Sequence, residues 1–99
     1  MTRGGSVYIL TNKKKSVLYI GVTSNLFARM SDHLEKTNPR SFASRYNLNM
    51  IIYYEHFRHI EEAIEREKEL KKWRREKKEI LINKFNPKWN NLISDISEC

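Results

Sequence analysis

The chain has 99 residues, of which 39% are hydrophobic and 31% are charged, with only three glycines and two prolines. This length suits one small domain with one core, and the composition excludes collagen-like, low-complexity and intrinsically disordered proteins. Nineteen Lys and Arg against twelve Asp and Glu give a net charge of +7, which favours a polyanionic partner such as nucleic acid.

No segment of this sequence predicts a membrane span or a secretory leader. No apolar run approaches the roughly 18 residues that cross a bilayer, and residues 1–6 lack the apolar core of a signal peptide. One cysteine, Cys99, excludes an internal disulfide and a cysteine-based zinc site. We therefore expect a cytoplasmic domain of the α/β (α+β) class, with no membrane association.

Two apolar runs rich in β-branched and aromatic residues predict a β-hairpin near the start of the chain. The two strands and the polar loop between them are residues 6–11, 17–22 and 12–16. If Thr11 pairs with Ser16, then Tyr8 pairs with Tyr19, and both rings lie on one face of the sheet. We take this register as the prediction.

Farther along, the pattern predicts a helix, a loop, a strand and a long helical region. In chain order these are residues 26–35, 36–47, 50–57 and 60–85. Ser24 or Asn25 caps the first helix. The last region has neither Gly nor Pro, but its apolar residues fall on two opposite sides. We therefore predict two helices with a break near Trp73, and after Pro87 a tail with one helical turn.

Glu67 is a candidate for a chemical role because it lies on the apolar side of its predicted helix. At about 100° per residue it shares that side with four apolar residues: Ile60, Ala63, Ile64 and Leu70. A carboxylate in that position is costly unless something pairs with it. An ion pair with Lys71, four residues on, and a bound metal ion would both satisfy it, and helical spacing leaves both open.

Three further groups have candidate roles that the residues alone leave open. Arg29 and His33 lie one helical turn apart, where they would suit a phosphate or would simply be solvated. Tyr8 and Tyr19 fit either sheet packing or catalysis. The run 68–78 is either a basic strip that faces phosphates or a solvated helix face.

Five elements in order resemble the signature of the GIY-YIG nuclease superfamily. They are Val7-Tyr8, then Tyr19-Ile20-Gly21, Arg29 on the next helix, Glu67 in segment 62–67, and Trp89-Asn90. The resemblance covers roughly residues 5–92 and is greatest to small stand-alone bacterial members related to the N-terminal domain of the excision-repair incision subunit. The sequence departs from the pattern at Ser6, which replaces a glycine. Serine suits that place if the strand there is regular.

The resemblance implies a three-stranded antiparallel sheet flanked by helices, in a single domain over residues 1–99. Its core would span about residues 5–92, and residues 93–99 would be a C-terminal tail. The implied activity is metal-dependent hydrolysis of DNA phosphodiester bonds, in repair or recombination. Few side chains are left over to enter a groove, which favours recognition of DNA structure or strand ends over reading of bases. The implied metal is Mg²⁺ or Mn²⁺, held by Glu67 with water and substrate oxygens, which agrees with the few protein ligands that Mg²⁺ uses.

The same resemblance implies roles for individual residues. Arg29 would contact the scissile phosphate, and Tyr8 and Tyr19 would orient or deprotonate the attacking water. His33 would assist proton transfer or contact phosphate, and Asn90 would support the site through hydrogen bonds. Gly21 would let backbone approach closely where a side chain would obstruct.

The expected partner is nucleic acid, with DNA favoured over RNA. The expected contact residues are Lys13, Lys14, Arg29, Arg45, Lys71, Lys72 and Arg74. The chain would act as a monomer or homodimer, with a protein partner able to supply specificity. The alternative function is a nucleic-acid-binding module whose catalytic site is idle without a partner.

Overall fold

A computed structural model of the protein describes residues 4–35 and 46–96, without the side chains of residues 31–35. Its elements are β1 (Gly5–Thr11), β2 (Leu18–Thr23), α1 (Leu26–Glu35), β3 (Met50–Phe57), α2 (Ile60–Lys72), α3 (Arg75–Phe85) and a 3₁₀ turn (Ile93–Asp95). The strands form an antiparallel sheet in the order β2-β1-β3. The predicted α+β class and three-stranded sheet are confirmed, and among the described residues no helix is long and apolar enough to cross a membrane.

The hairpin register differs from the predicted one by two residues. Tyr8 pairs with Gly21, and Tyr19 pairs with Leu10. Thr11 pairs with Leu18, two residues beyond the predicted Ser16, because the Asn12 side chain accepts the N–H of Ser16 at 2.9 Å, which organises a wider turn. A shift of two keeps each side chain on its face, so the tyrosines still share one face, with ring centroids 6.5 Å apart.

The central strand β1 is buried along its whole length, and its alternate residues enter two separate cores. Val7 and Ile9 pack in a first core with residues of α2 and α3. Tyr8 and Leu10 pack in a second core with residues of α1 and of the segment after α3. A central strand buried on both sides explains why this stretch is almost continuously apolar in the sequence.

The predicted break near Trp73 is confirmed. The backbone is extended at Trp73 and Arg74, between the end of α2 and the start of α3. Leu70 of α2 and Ile82 of α3 are both fully buried in the first core, whereas Ile80, on the opposite apolar side, is 57% exposed. The Trp73 ring packs on that core, with the Lys77 ammonium 4.1 Å from its centroid, so part of the basic run covers an aromatic ring.

The segment after α3 returns to β3 and covers the second core. The backbone N–H of Leu92 donates to the carbonyl of Ile51 at 2.8 Å, and Ile93 and Ile96 pack on the second core. The predicted helical turn is present as the 3₁₀ turn Ile93–Asp95. Most of the predicted loop at 36–47, and residues 97–99 of the predicted tail, lie outside the described residues.

Candidate active site

Tyr8 is the centre of the candidate site, and Gly21 makes its position possible. Tyr8 lies in the central strand with no exposed surface. A methyl group on Gly21, its partner in β2, would overlap the phenol ring and hydroxyl of Tyr8. The ring therefore lies across Gly21 towards the outer strand. The predicted reason for this glycine needs correction, because the group that approaches it closely is a phenol ring and not backbone.

The start of α1 places Arg29 over this ring. Asn25 is the cap, since its side-chain oxygen accepts the N–H of Ala28 at 3.1 Å and its carbonyl accepts the N–H of Arg29. Arg29, one turn into the helix, donates from Nε to the hydroxyl of Tyr8 at 3.3 Å. The residue is exposed, as a contact with a phosphate requires.

Burial and the surrounding charges set the pKa of Tyr8. Burial raises the pKa of Tyr8, the hydrogen bond and charge of Arg29 lower it, and the nearby Tyr19 and Glu67 raise it again. The net shift is upward, so Tyr8 is a neutral phenol at physiological pH. It can donate or accept a hydrogen bond, but it is not an ionised base in the free protein.

The raised pKa of Tyr8 predicts a loss of stability at alkaline pH. Because the folded-state pKa exceeds the ordinary value of 10.0, the contribution is complete below pH 10.0 and is lost as pH rises through the folded-state pKa. Burial raises the pKa of Tyr53 as well, which adds to the loss. Between pH 10.0 and the folded-state pKa of Tyr8, we expect the free energy of unfolding in urea to fall less steeply for Tyr8→Phe than for wild type. The two slopes should differ by up to about 1.4 kcal/mol per pH unit. Equal slopes would contradict this account.

Glu67 and Lys71 form the ion pair that helical spacing allows. The carboxylate lies 3.1 Å from Lys71 Nζ, and the Glu67 side chain is 16% exposed whereas that of Lys71 is 53% exposed. The lysine is thus the more exposed partner, and solvation of its ammonium could leave the carboxylate to a metal ion. The pair and the metal site are therefore compatible alternatives for one carboxylate.

A single carboxylate at Glu67 fits the few protein ligands that Mg²⁺ or Mn²⁺ uses. Within the described ranges, no three His, Cys, Asp or Glu side chains come together as a ligand cluster. Zinc in proteins needs three or four such ligands, whereas Mg²⁺ keeps several waters and takes one or two carboxylates plus phosphate oxygens. Glu67 supplies one carboxylate with a side chain of low exposure, which suits Mg²⁺.

Removing the competing ammonium should strengthen binding of a metal ion at Glu67. We expect Lys71→Met to bind Mn²⁺ about twofold more tightly than wild type, since an exposed i,i+4 pair contributes only about 0.3–0.5 kcal/mol. Titration followed by the electron paramagnetic resonance of free Mn²⁺ measures this. The neighbouring Lys72→Met removes the same charge without the pair, and an equal effect of the two variants would refute the competition.

Asn90 is held by Asn86, which sequence reasoning did not single out. The Asn86 side chain accepts the N–H of Asn90 at 3.2 Å and donates to its carbonyl at 2.9 Å. It also donates to the carbonyl of Ile52 at 3.1 Å, and it is almost fully buried. Asn86 thereby ties the turn that carries Asn90, in which Trp89 has a φ of 53°, to the sheet. The sequence feature that could have indicated this turn is the position of Asn86 directly before Pro87, since Asn-Pro favours a turn.

The structure brings most of the predicted nucleic-acid contacts to one end of the protein. Arg75 at the start of α3 donates to the carbonyls of Lys15 and Ser16 at 2.7 and 2.9 Å, so the hairpin loop lies against the junction of α2 and α3. The predicted contact residues that are exposed on the loop and at the junction are Lys13, Lys14, Lys71, Lys72 and Arg74. Arg45 and the side chain of His33 lie outside the described part of the chain.

Ser6 does not disturb the strand that carries Tyr8. It lies within β1 and does not have the positive φ that would require glycine. A hydrogen bond of 2.6 Å joins its Oγ to Nδ1 of His56 on β3. The departure from the glycine pattern is thus tolerated, because the backbone at this point is ordinary strand.

Comparison with known families adds one finding. A family model described as the GIY-YIG catalytic domain matches residues 4–87. That range runs from β1 to the end of α3, and it includes every candidate catalytic residue except Asn90. Searches of curated proteins and of solved structures gave no significant match.

Proposed function

Because the chain belongs to the GIY-YIG catalytic domain family, a family of nucleases that generally use divalent metal ions, we propose that it is a metal-dependent endonuclease acting on DNA. One observation supports this most strongly. The buried hydroxyl of Tyr8 receives the hydrogen bond of Arg29 within electrostatic range of the Glu67 carboxylate. Arg29 would supply a cation for phosphate, Glu67 a carboxylate for metal and Tyr8 a phenol for water.

Arg29 would hold the scissile phosphate. A guanidinium offers a planar set of N–H donors that matches two phosphate oxygens, and its charge opposes the charge that grows in the transition state. The hydrogen bond from its Nε to Tyr8 fixes one side of that group. The phosphate would thus lie close to the phenol, at the edge of the buried second core.

Tyr8 and Tyr19 would orient the attacking water. Tyr8 is neutral, and its hydroxyl has the lone pairs to accept a hydrogen bond from water while Arg29 donates to it. Tyr19 lies beside it on the same face, less buried and nearer the outer edge of the sheet. His33 would assist proton transfer or contact phosphate, and Asn90 would support the site through hydrogen bonds.

Glu67 would hold the metal ion. A bound Mg²⁺ or Mn²⁺ supplies Lewis-acid charge and lowers the pKa of coordinated water. The carboxylate is presented on the side of α2 that carries buried Ala63 and Leu70, and packing of these residues fixes the direction of the helix face. Lys71 would then be released to the basic end of the protein, where it would contact phosphates.

The test is cutting of defined nucleic acids. Supercoiled plasmid, end-labelled branched DNA and a matching RNA are incubated with the protein in Mg²⁺, Mn²⁺ or EDTA. We expect metal-dependent cutting of DNA, faster at the branch, and no cutting in EDTA or of RNA. Cutting confined to RNA would overturn the choice of DNA. Salt-sensitive binding of DNA without cutting would overturn the enzyme proposal and favour the binding module.

A further inference from the structure

A cleft of about 530 Å³ opens beside Tyr8 on the same face of the sheet. Its floor includes Ser6 and Tyr54, and Tyr54 is the residue that pairs with Tyr8 across β1 and β3. One wall is residues 24–27 at the start of α1, and another is Asp95 with Ile96. The cleft is larger than one side chain needs, and no role assigned above uses it.

The cleft lies one step from the proposed phosphate contact. Ser6 and Tyr8 are two residues apart on one face of β1, which corresponds to about 7 Å. Asn25 in the wall lies one helical turn before Arg29, whose backbone N–H donates to the Asn25 carbonyl at 3.1 Å. A nucleotide whose phosphate contacts Arg29 can therefore place its base in this cleft.

The charge of the lining favours an uncharged occupant over a second phosphate. The chain has nineteen Lys and Arg, yet among the described residues that line the cleft there is no Lys or Arg, and Asp95 is exposed in it. The Asp95 carboxylate in the wall would repel a phosphate bound inside the cleft. The basic residues lie instead at the far end of the hairpin and at the junction of α2 and α3.

The chemistry of the lining suits an uncharged planar heterocycle. Phe27, which is 37% exposed, and Tyr54 supply rings for stacking. The Asp95 carboxylate can accept a hydrogen bond from an exocyclic amino group, such as that of cytosine. Ser6 and His56 in the floor of the cleft are hydrogen-bonded to each other. Neither side chain therefore requires a charged ligand as its partner.

We propose that this cleft binds an unpaired nucleobase adjacent to the phosphate held by Arg29. The proposal rests on the proposed nuclease function and names its substrate class, which is DNA with an unpaired nucleotide beside the cut, as in a single strand or a flap. A base in a duplex is stacked and paired, so it enters the cleft only after it leaves the helix. This requirement makes the enzyme selective for DNA structure without reading sequence.

The first test compares a short oligodeoxycytidine strand with a strand of equal length whose nucleotides all lack bases. Both carry the same phosphates, and binding to the wild-type protein is measured in EDTA by fluorescence anisotropy at low salt. We expect the strand with bases to bind about tenfold more tightly. Equal affinities overturn the inference and leave the nuclease proposal intact, whereas binding of neither strand overturns both.

A second test locates the effect in the cleft. Asp95→Asn and Glu76→Gln each remove one exposed negative charge, and Glu76 lies on α3, outside the cleft. We expect Asp95→Asn to bind the oligodeoxycytidine about threefold less tightly than Glu76→Gln, and to match it on the strand without bases. Tighter binding of both strands by Asp95→Asn than by Glu76→Gln would show a phosphate in the cleft and overturn the inference.

Discussion

Replacement of Arg29 by lysine will slow DNA cutting by about 10²–10³-fold while the protein stays folded. The Nε of Arg29 is fixed by the Tyr8 hydroxyl, which orients the other guanidinium donors for a phosphate. Lysine keeps the charge but loses both the planar set of donors and the bond to Tyr8. Loss of the hydrogen bond to the buried Tyr8 hydroxyl should lower the free energy of unfolding by about 1 kcal/mol, which the fold tolerates.

Single-turnover cutting of an end-labelled branched DNA, with protein in excess, measures this effect on the chemical step. Arg58→Lys is the matched control, since Arg58 is exposed and lies between β3 and α2. The control should cut at the wild-type rate. A rate for Arg29→Lys within about threefold of wild type would remove Arg29 from the proposed phosphate contact.

Replacement of Gly21 by alanine will damage stability and activity together. The new methyl group would occupy the space of the Tyr8 ring and hydroxyl, so the ring must move out of the second core. Overpacking of this kind costs about 1–3 kcal/mol in the free energy of unfolding. The displaced hydroxyl also loses Arg29, and we expect cutting by the folded fraction to fall at least about tenfold.

A double-mutant cycle with Tyr8 separates this overlap from a general intolerance of β2. In a Tyr8→Ala background the alanine at position 21 meets no ring, and strand propensity then favours it over glycine by about 0.5–1 kcal/mol. We expect the destabilisation by Gly21→Ala to disappear or reverse in that background, as measured by urea unfolding. The same destabilisation in both backgrounds would contradict the close contact between position 21 and Tyr8.

Local pattern was sufficient to predict most of the fold. The bounds of α1 and β3 follow from apolar periodicity and a capping asparagine, and both agree with the structure. The break at Trp73 follows from two apolar stripes that one straight helix cannot bury. The register of the hairpin does not follow, because it depends on how Asn12 organises the loop and on a positive φ of 58° at Lys15.

Part of the candidate site could be predicted from the sequence. The rest depends on the register of the β1–β2 hairpin, which the sequence pattern did not determine. Helical spacing alone places Glu67 on the apolar side of α2 and next to Lys71, as observed. The contact of Tyr8 with Gly21 needs the true pairing, since the predicted register set Tyr8 opposite Tyr19. The bond from Asn86 to Ile52 joins residues far apart in the chain, which no local pattern encodes.

The central claim is that the Glu67 carboxylate holds the metal ion for DNA hydrolysis. The most direct measurement is the single-turnover rate of DNA cutting in Mn²⁺ by Glu67→Gln beside Glu65→Gln, which alters an exposed carboxylate on the same helix. We predict that Glu65→Gln cuts at the wild-type rate and that Glu67→Gln is at least about 10³-fold slower. A rate for Glu67→Gln within about tenfold of wild type would contradict the claim and place the metal elsewhere.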